Sequence, residues 1–321
     1  GGSVTVNIKA GTVDKDVYGG GALANTNNFD TNQYEKVEGV VPDVTIVTGL
    51  YTKSGETYTE ITTANQKASA NTDYYRKGKW VTTLTNNTTT VNLFGGEIHG
   101  DAYGGGLGQL GDNPVAAMVY GNVNVNLGSN AEGTSATKFI ISHYGGDHAS
   151  VTKSGRVFGC NNLNGSPQGD VTVTVYKTVK GSHDKTPAGA DGKAPKTVSS
   201  ATSYRVAAVY GGGNLANYEP TATGKKSHVI IYGCSETSIE YVYGGGNAAA
   251  VPETDVDIYE AYEIGTVFGG GNGKDPYTLN GGTNWTANPG ANVNGNANTM
   301  LYGGLIHEAF GGSNEKGRIT G

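Results

Sequence analysis

The chain has 321 residues, of which 53 are glycine, a share more than twice the roughly 7% of average proteins. Only 9 prolines and no Gly-X-Y register exclude collagen, and 20 tyrosines with repeated Val/Ile runs exclude a disordered linker. The formal net charge of −6, without a basic stripe or an apolar run of about 18 residues, indicates no nucleic-acid partner and no membrane span.

The chain opens with an alternating run from Val4 to Ile8, which leads through Gly11-Thr12-Val13 to Val17-Tyr18. The pattern predicts a strand of about five residues, a Gly turn, a short second strand and a third strand that ends at the aromatic residue. Ile8 lies nine residues before Val17, and the same separation is found between Leu93 and Ala102. The shared spacing indicates that the second group of segments is a copy of the first.

An aromatic residue followed by glycine recurs seven times along the chain. The copies are Tyr18-Gly19-Gly20, Tyr103-Gly104, Phe158-Gly159, Tyr210-Gly211, Tyr243-Gly244, Phe268-Gly269 and Phe310-Gly311. Asparagine follows three or four residues later at Asn161, Asn214, Asn247, Asn272 and Asn314. A sharp corner needs a positive φ or a close approach of two backbones, which glycine allows best and asparagine next best. These residues are therefore predicted to be the corners of a structural repeat.

The gaps between the copies differ in length, and the longer gaps are predicted to contain insertions. Residues 50–79, 180–200 and 280–298 are mainly polar or rich in Gly, Pro and Thr, and they show little alternation. We therefore predict a single domain over residues 1–321 that carries three insertions.

A unit of alternating strands buries only one face, so copies must stack on one another to close a core. Strands stacked in register about 4.8 Å apart predict an all-β fold, a right-handed parallel β-helix (solenoid). Neither end of the chain shows an amphipathic cap, and uncapped ends expose strand edges. We therefore expect the chain to be part of a longer protein or to associate end to end.

At the aromatic-glycine copies the sequence resembles the right-handed parallel β-helix (pectin-lyase-like) repeats of bacterial surface proteins. The resemblance is to the Gly-Gly-Gly-Asn repeat regions of large secreted or adhesin-like proteins of Bacteroidetes, and it covers most of the chain from Val4 to Gly312. It implies an extracellular or cell-surface location and an adhesive or scaffold role. Exposed Thr, Asn and Tyr side chains suit contacts with a glycan or with a host or bacterial surface protein.

The most enzyme-like cluster consists of His143, Asp147 and His148, where Asp147 is placed to orient His148 as a general base. The alternative interpretation is a degenerate Tyr-Gly-Gly corner whose polar side chains face water. A polysaccharide lyase or hydrolase needs clustered or paired carboxylates, and the sequence contains no Asp-Asp pair.

Asn272 and Asp275 lie in a single copy of a G-G-x-G-x-D calcium motif. Because this motif binds Ca²⁺ between successive copies and no second copy lies nearby, Ca²⁺ is a weak candidate, and no other cofactor is expected. Cys160 and Cys234 fall at corner positions, and the sequence leaves open whether they form a disulfide.

The leading hypothesis is a non-catalytic, extracellular or cell-surface β-helix segment that serves as a stalk or an adhesive surface. The alternative is a polysaccharide-active β-helix enzyme, either a lyase or a hydrolase. Charged side chains that converge in a groove would favour the enzyme, whereas a flat face with isolated charges would favour the scaffold.

Overall fold

The computed structural model describes residues 2–80, 87–131, 135–181, 204–279 and 282–321. The chain is all-β with mostly parallel sheets, and the one helical element among the described residues is a 3-10 turn at Gly146–His148. Most of the insertion predicted at 180–200 lies outside the described residues.

Seven parallel strands form the first long sheet and follow one another across it in chain order. They are Val4–Ile8, Thr88–Leu93, Asn122–Leu127, Val171–Val175, Ser227–Ile231, Thr254–Ile258 and Ala297–Leu301. The alternation seen in the sequence separates the two faces, because Val91 and Leu93 are fully buried while Asn92 between them is partly exposed.

The second long sheet also has seven parallel strands in chain order. They are Val17–Tyr18, Ala102–Tyr103, Arg156–Phe158, Val206–Tyr210, Ser238–Tyr243, Glu263–Phe268 and Ile306–Phe310. The chain passes alternately through the two long sheets, and we call one strand of each sheet, with its connections, a unit. Successive units hydrogen-bond to each other through both sheets.

A short third sheet joins the first three units between the two long sheets, through Thr12–Val13, Glu97–Ile98 and Lys138–Phe139. The pairing register is the one that the sequence spacing predicts. Ile8 lies opposite Leu93 in the first long sheet, and Val17 lies opposite Ala102 in the second.

Most inward residues of the three sheets form one continuous apolar core, while Val123 and Val171 belong to a second cluster. In the second unit, Leu93, Ile98 and Ala102 come from the three different sheets and are all fully buried. Burial of a side chain such as Leu93 stabilises the fold by about 1.5–3 kcal/mol. The core runs from unit to unit, so the stability of each unit depends on its neighbours.

A four-stranded antiparallel sheet extends from the first unit. Its strands are Phe29–Lys36, Tyr51–Ser54, Thr57–Glu60 and Tyr74–Trp80. Val47, Ile61, Ala68 and Tyr74 form its own small core. The insertion predicted at 50–79 is therefore an ordered sheet, and it begins earlier, at residue 29.

Two antiparallel hairpins leave later units. In the first, Ser142–His143 pairs with Thr152–Ser154 around the 3-10 turn. In the second, Tyr277–Thr278 pairs with Trp285–Thr286, within and just before the insertion predicted at 280–298.

Candidate functional site

The aromatic residues of the seven copies stack on one another in a single column, which we call the ring stack. Its members are Tyr18, Tyr103, Phe158, Tyr210, Tyr243, Phe268 and Phe310. Neighbouring ring centroids are 4.6 to 5.1 Å apart, with planes within 13° of parallel. Each ring therefore contacts its counterpart in the next unit, as an in-register parallel sheet requires.

The ring stack lies on the outer face of the second long sheet. Val17 belongs to the main core, whereas Tyr18, the next residue, packs in a separate cluster with Tyr103. Adjacent residues of a strand point to opposite faces, so the rings point away from the core. Burial raises the pKa of the Tyr103 and Tyr243 hydroxyls, so these groups remain protonated and able to donate hydrogen bonds.

The glycines that follow the rings connect each unit to the next. Their N–H groups donate to the carbonyl oxygen of the next ring residue at 2.8 to 3.0 Å, at Gly19, Gly104, Gly159, Gly211, Gly244 and Gly269. A Cβ atom at Gly244 would overlap the carbonyl oxygen of Gly269, so the close contact between units requires glycine there.

A row of asparagine side chains runs beside the ring stack, and we call it the asparagine ladder. The side-chain N–H of each member donates to the side-chain oxygen of the preceding member at 2.8 to 2.9 Å, in the order Asn314, Asn272, Asn247, Asn214 and Asn162. Asn162 in turn donates to the Tyr18 hydroxyl at 2.7 Å, and the Tyr243 hydroxyl donates to Asn272 at 3.3 Å.

The third unit contributes Asn162 to the ladder, whereas the sequence pattern predicts Asn161 as the corner asparagine of this unit. Asn161 is fully buried, and its side chain donates instead to the carbonyl oxygens of Ala117 and Asn164 at 2.7 and 3.2 Å. The spacing contains the signal, since Asn162 stands four residues after Phe158, as Asn214 stands four after Tyr210.

A cleft of about 520 Å³ lies above part of these two rows. Tyr18 and Tyr103 of the ring stack and Asn162, Asn214 and Asn247 of the asparagine ladder line it. One wall is formed by the first hairpin, including Tyr144 and Lys153, and the other by the second hairpin, including Pro276 and Tyr277. The cleft therefore offers aromatic rings and amide groups between two ordered walls.

The two hairpins touch each other through Trp285. Its ring stacks on His148 with centroids 3.7 Å apart and meets Tyr144 edge-on at 4.7 Å. His143 lies in the first hairpin opposite Thr152, and Asp147 is exposed on the 3-10 turn. Within the described residues no hydrogen bond or ion pair joins Asp147 to His148, so the structure assembles His148 with Trp285 rather than with the predicted carboxylate partner.

A buried ion pair marks one end of the cleft. The Arg156 guanidinium donates to the Asp101 carboxylate at 2.7 Å through Nη2 and at 3.1 Å through Nε, and the two side chains are only 13% and 4% exposed. The Tyr103 hydroxyl donates to the same carboxylate at 3.3 Å. Removing either partner would leave a buried charge uncompensated, which typically costs about 3–5 kcal/mol.

A carboxyl group, that of Asp275, lies near the other end. Asp275 lines the cleft, and its carboxylate accepts a hydrogen bond from the Asn272 amide at 3.0 Å. Burial, reinforced by the charge of Asp275, raises the pKa of Glu240 from 4.5 to about 7. Sequence reasoning missed Glu240, because the segment Ile239-Glu240-Tyr241-Val242 lacks clean alternation.

The predicted calcium residues have other partners in the structure. The side-chain oxygen of Asn272 accepts hydrogen bonds from Asn314 and Tyr243, while its amide donates to Asn247 and Asp275. Among the described residues, no group of three or more His, Cys, Asp or Glu side chains is close enough to hold a metal ion. The donor set at Asn272 is thus engaged in the ladder.

The two cysteines are both free thiols. Cys160 is fully buried, and burial raises the pKa of its thiol well above the ordinary value. Cys234 is partly exposed at a different corner.

Comparison of the chain with family models, with curated proteins and with solved structures gives no match. In the part of the chain that the structure describes, no helix is long and apolar enough to cross a membrane.

Proposed function

We propose that the chain is a right-handed parallel β-helix that serves outside the cell or at the cell surface as a structural and adhesive segment. In this proposal the cleft above the ring stack binds a saccharide.

Several contacts support the β-helix. The chain passes through the two long sheets in a fixed order, and each unit pairs in parallel with the unit before and the unit after it. The ring stack and the asparagine ladder repeat along the same direction as the strand pairing. A core that continues from unit to unit is the expected property of a solenoid.

The composition of the cleft carries the ligand proposal. The rings of Tyr144 and Tyr277 in the two walls are partly exposed and offer apolar surface, and the side chains of Asn214 and Lys153 offer polar groups. Sugars present both apolar C–H faces and hydroxyl groups, so they match both features. The stacked hairpins hold the walls in place before a ligand binds, which lowers the entropic cost of binding.

A glycan array followed by titration with the best ligand tests the proposal. Tyr277→Ala and Lys153→Ala each change one wall, and we expect each to weaken saccharide binding by about tenfold, equivalent to about 1.4 kcal/mol. Tyr58→Ala, which alters a tyrosine in the antiparallel insertion, is the matched control and should bind like the wild type. Absence of binding to every glycan, or unchanged binding by both wall variants, would contradict the proposal.

A polysaccharide-active enzyme is the second candidate. It is favoured by Asp275, which lines the cleft, together with Glu240, whose pKa is raised by burial and by the charge of Asp275. A Glu240 carboxyl with a pKa of about 7 suits a proton donor, and Asp275 provides a second carboxylate. A hydrolase would release new reducing ends from a polysaccharide and a lyase would release unsaturated sugars, and Glu240→Gln should abolish either product. Binding without any product would support the adhesive segment.

A further inference from the structure

A second column of aromatic rings lies along the first long sheet. Tyr176, Tyr232, Tyr259 and Tyr302 each follow directly after the last residue of a strand. Their ring centroids are 5.4, 5.2 and 4.7 Å apart, with planes within 18° of parallel. We call this column the tyrosine row, and it belongs to a different sheet from the ring stack.

The tyrosine row is open to solvent, in contrast to the ring stack. Tyr232, Tyr259 and Tyr302 are 45%, 43% and 58% exposed, whereas Tyr243 in the ring stack is 2% exposed. Because stacked rings cover each other's faces, solvent meets their edges and hydroxyl groups. None of the four hydroxyls is hydrogen-bonded to a residue that the structure describes.

One end of the row opens into a cavity of about 490 Å³. Tyr176 and Tyr232 line it together with Ser129, Asn130 and Lys177. Hydroxyl, amide and ammonium groups in this cavity are suitable partners for sugar hydroxyls. Ring edges along an open row and a polar cavity at its end form a continuous surface for an elongated ligand.

We propose that the tyrosine row binds an extended polysaccharide that runs along the stacking direction, with one sugar at each ring and one end in the cavity. The spacing supports this ligand class, because consecutive sugars of an extended glycan advance by close to the distance between neighbouring strands. Lys177 is the one charged residue among the described residues that line the cavity, which favours a neutral or weakly acidic glycan. This proposal shares the saccharide class with the proposed function and uses a separate surface.

Calorimetric titration of the intact chain with neutral and weakly acidic oligosaccharides of increasing length tests the row. We expect the affinity to rise with length until the ligand spans all four rings. The double variant Tyr232→Ala with Tyr259→Ala should lose about tenfold in affinity for the longest ligand. The corresponding Phe double variant keeps the rings and removes the hydroxyls, so its affinity for the longest ligand should fall less than that of the Ala double variant.

Thermal unfolding checks that each variant is folded, and Tyr58→Ala in the antiparallel insertion is the control for loss of an unrelated tyrosine. Equal affinity of the Ala double variant and the wild type would overturn the proposal, as would failure of the wild type to bind any of these oligosaccharides. The cleft variant Tyr277→Ala separates the two sites. If it abolishes binding while the row variants have no effect, the cleft is the saccharide site and the row is not.

Discussion

At the scale of the single residue, burial changes the pKa of the Glu240 carboxyl group. Its pKa is raised from 4.5 to about 7, first by burial and then by the charge of Asp275. The folded protein therefore holds this proton more tightly than the unfolded chain. The resulting stabilisation is complete below pH 4.5 and is lost as the pH rises through about 7, by up to about 3 kcal/mol.

Glu240→Gln removes this titration. As the pH rises from 5 to 8, the free energy of unfolding of the wild type should fall more than that of the variant. Urea unfolding series at each pH measure this difference. Glu56→Gln is the control, because that carboxylate is 97% exposed. Parallel pH profiles for Glu240→Gln and the wild type would show that burial does not shift this carboxyl group.

At the scale of the element, the asparagine ladder joins side chains from five units. Asn247 donates to Asn214 and accepts from Asn272, both at 2.8 Å, whereas Asn314 at the end of the ladder makes one ladder bond, to Asn272. Replacing Asn247 removes one bond from the amide of the buried Asn272 and one to the side-chain oxygen of the partly exposed Asn214. We expect Asn247→Ala to lower the free energy of unfolding by about 2 kcal/mol.

Asn314→Ala removes one ladder bond and is the matched comparison, so its loss should be about half as large. Both variants are measured by urea unfolding at one pH. Equal losses at the two positions would mean that the ladder does not act as a connected element.

The glycine corners test the contact between neighbouring units. A Cβ at Gly244 would overlap the backbone of Gly269 and would force the units apart, so we expect Gly244→Ala to destabilise the protein by about 3 kcal/mol. Gly311 occupies the same corner in the last unit, where a Cβ would meet nothing within 4 Å. Gly311→Ala should therefore have a melting temperature equal to or slightly above that of the wild type. A stable Gly244→Ala variant would contradict the close approach of the units.

The strand elements could be predicted from the sequence because their signal is local. The separation of nine positions between Ile8 and Val17 recurs between Leu93 and Ala102, and the sheets have the same register. The stacking of Trp285 on His148 could not be predicted in this way, because it joins two hairpins from different units. Its geometry depends on where each unit places its excursion, and spacing along the chain does not contain that information.

The tyrosine row has a signal in the sequence that is separate from the glycine corners. A tyrosine follows the last strand residue directly at Val175, Ile231, Ile258 and Leu301. In-register pairing of these strands then places the four rings in one column. The antiparallel insertion was harder to delimit, because its strands bury few residues and alternate weakly.

At the scale of the whole molecule, the last unit leaves one side of both long sheets unpaired. Leu301 and Phe310 are 46% and 47% exposed, whereas Ile258 and Phe268, their partners in the preceding unit, are 0% and 5% exposed. An exposed apolar edge with free backbone donors and acceptors is a template for further pairing. The first unit offers the complementary side of the same sheets.

We therefore expect copies of the chain to associate end to end, so that Phe310 of one copy stacks on Tyr18 of the next. Sedimentation velocity over a range of concentrations should show reversible association. Gly311→Ala supplies the decisive variant, because every interior corner glycine lies against the carbonyl oxygen of the following unit, and a methyl group at Gly311 would meet the incoming copy in the same way. This variant should remain folded and monomeric. A wild type that stays monomeric at all concentrations, or a Gly311→Ala variant that associates equally well, would show that these edges do not pair with each other.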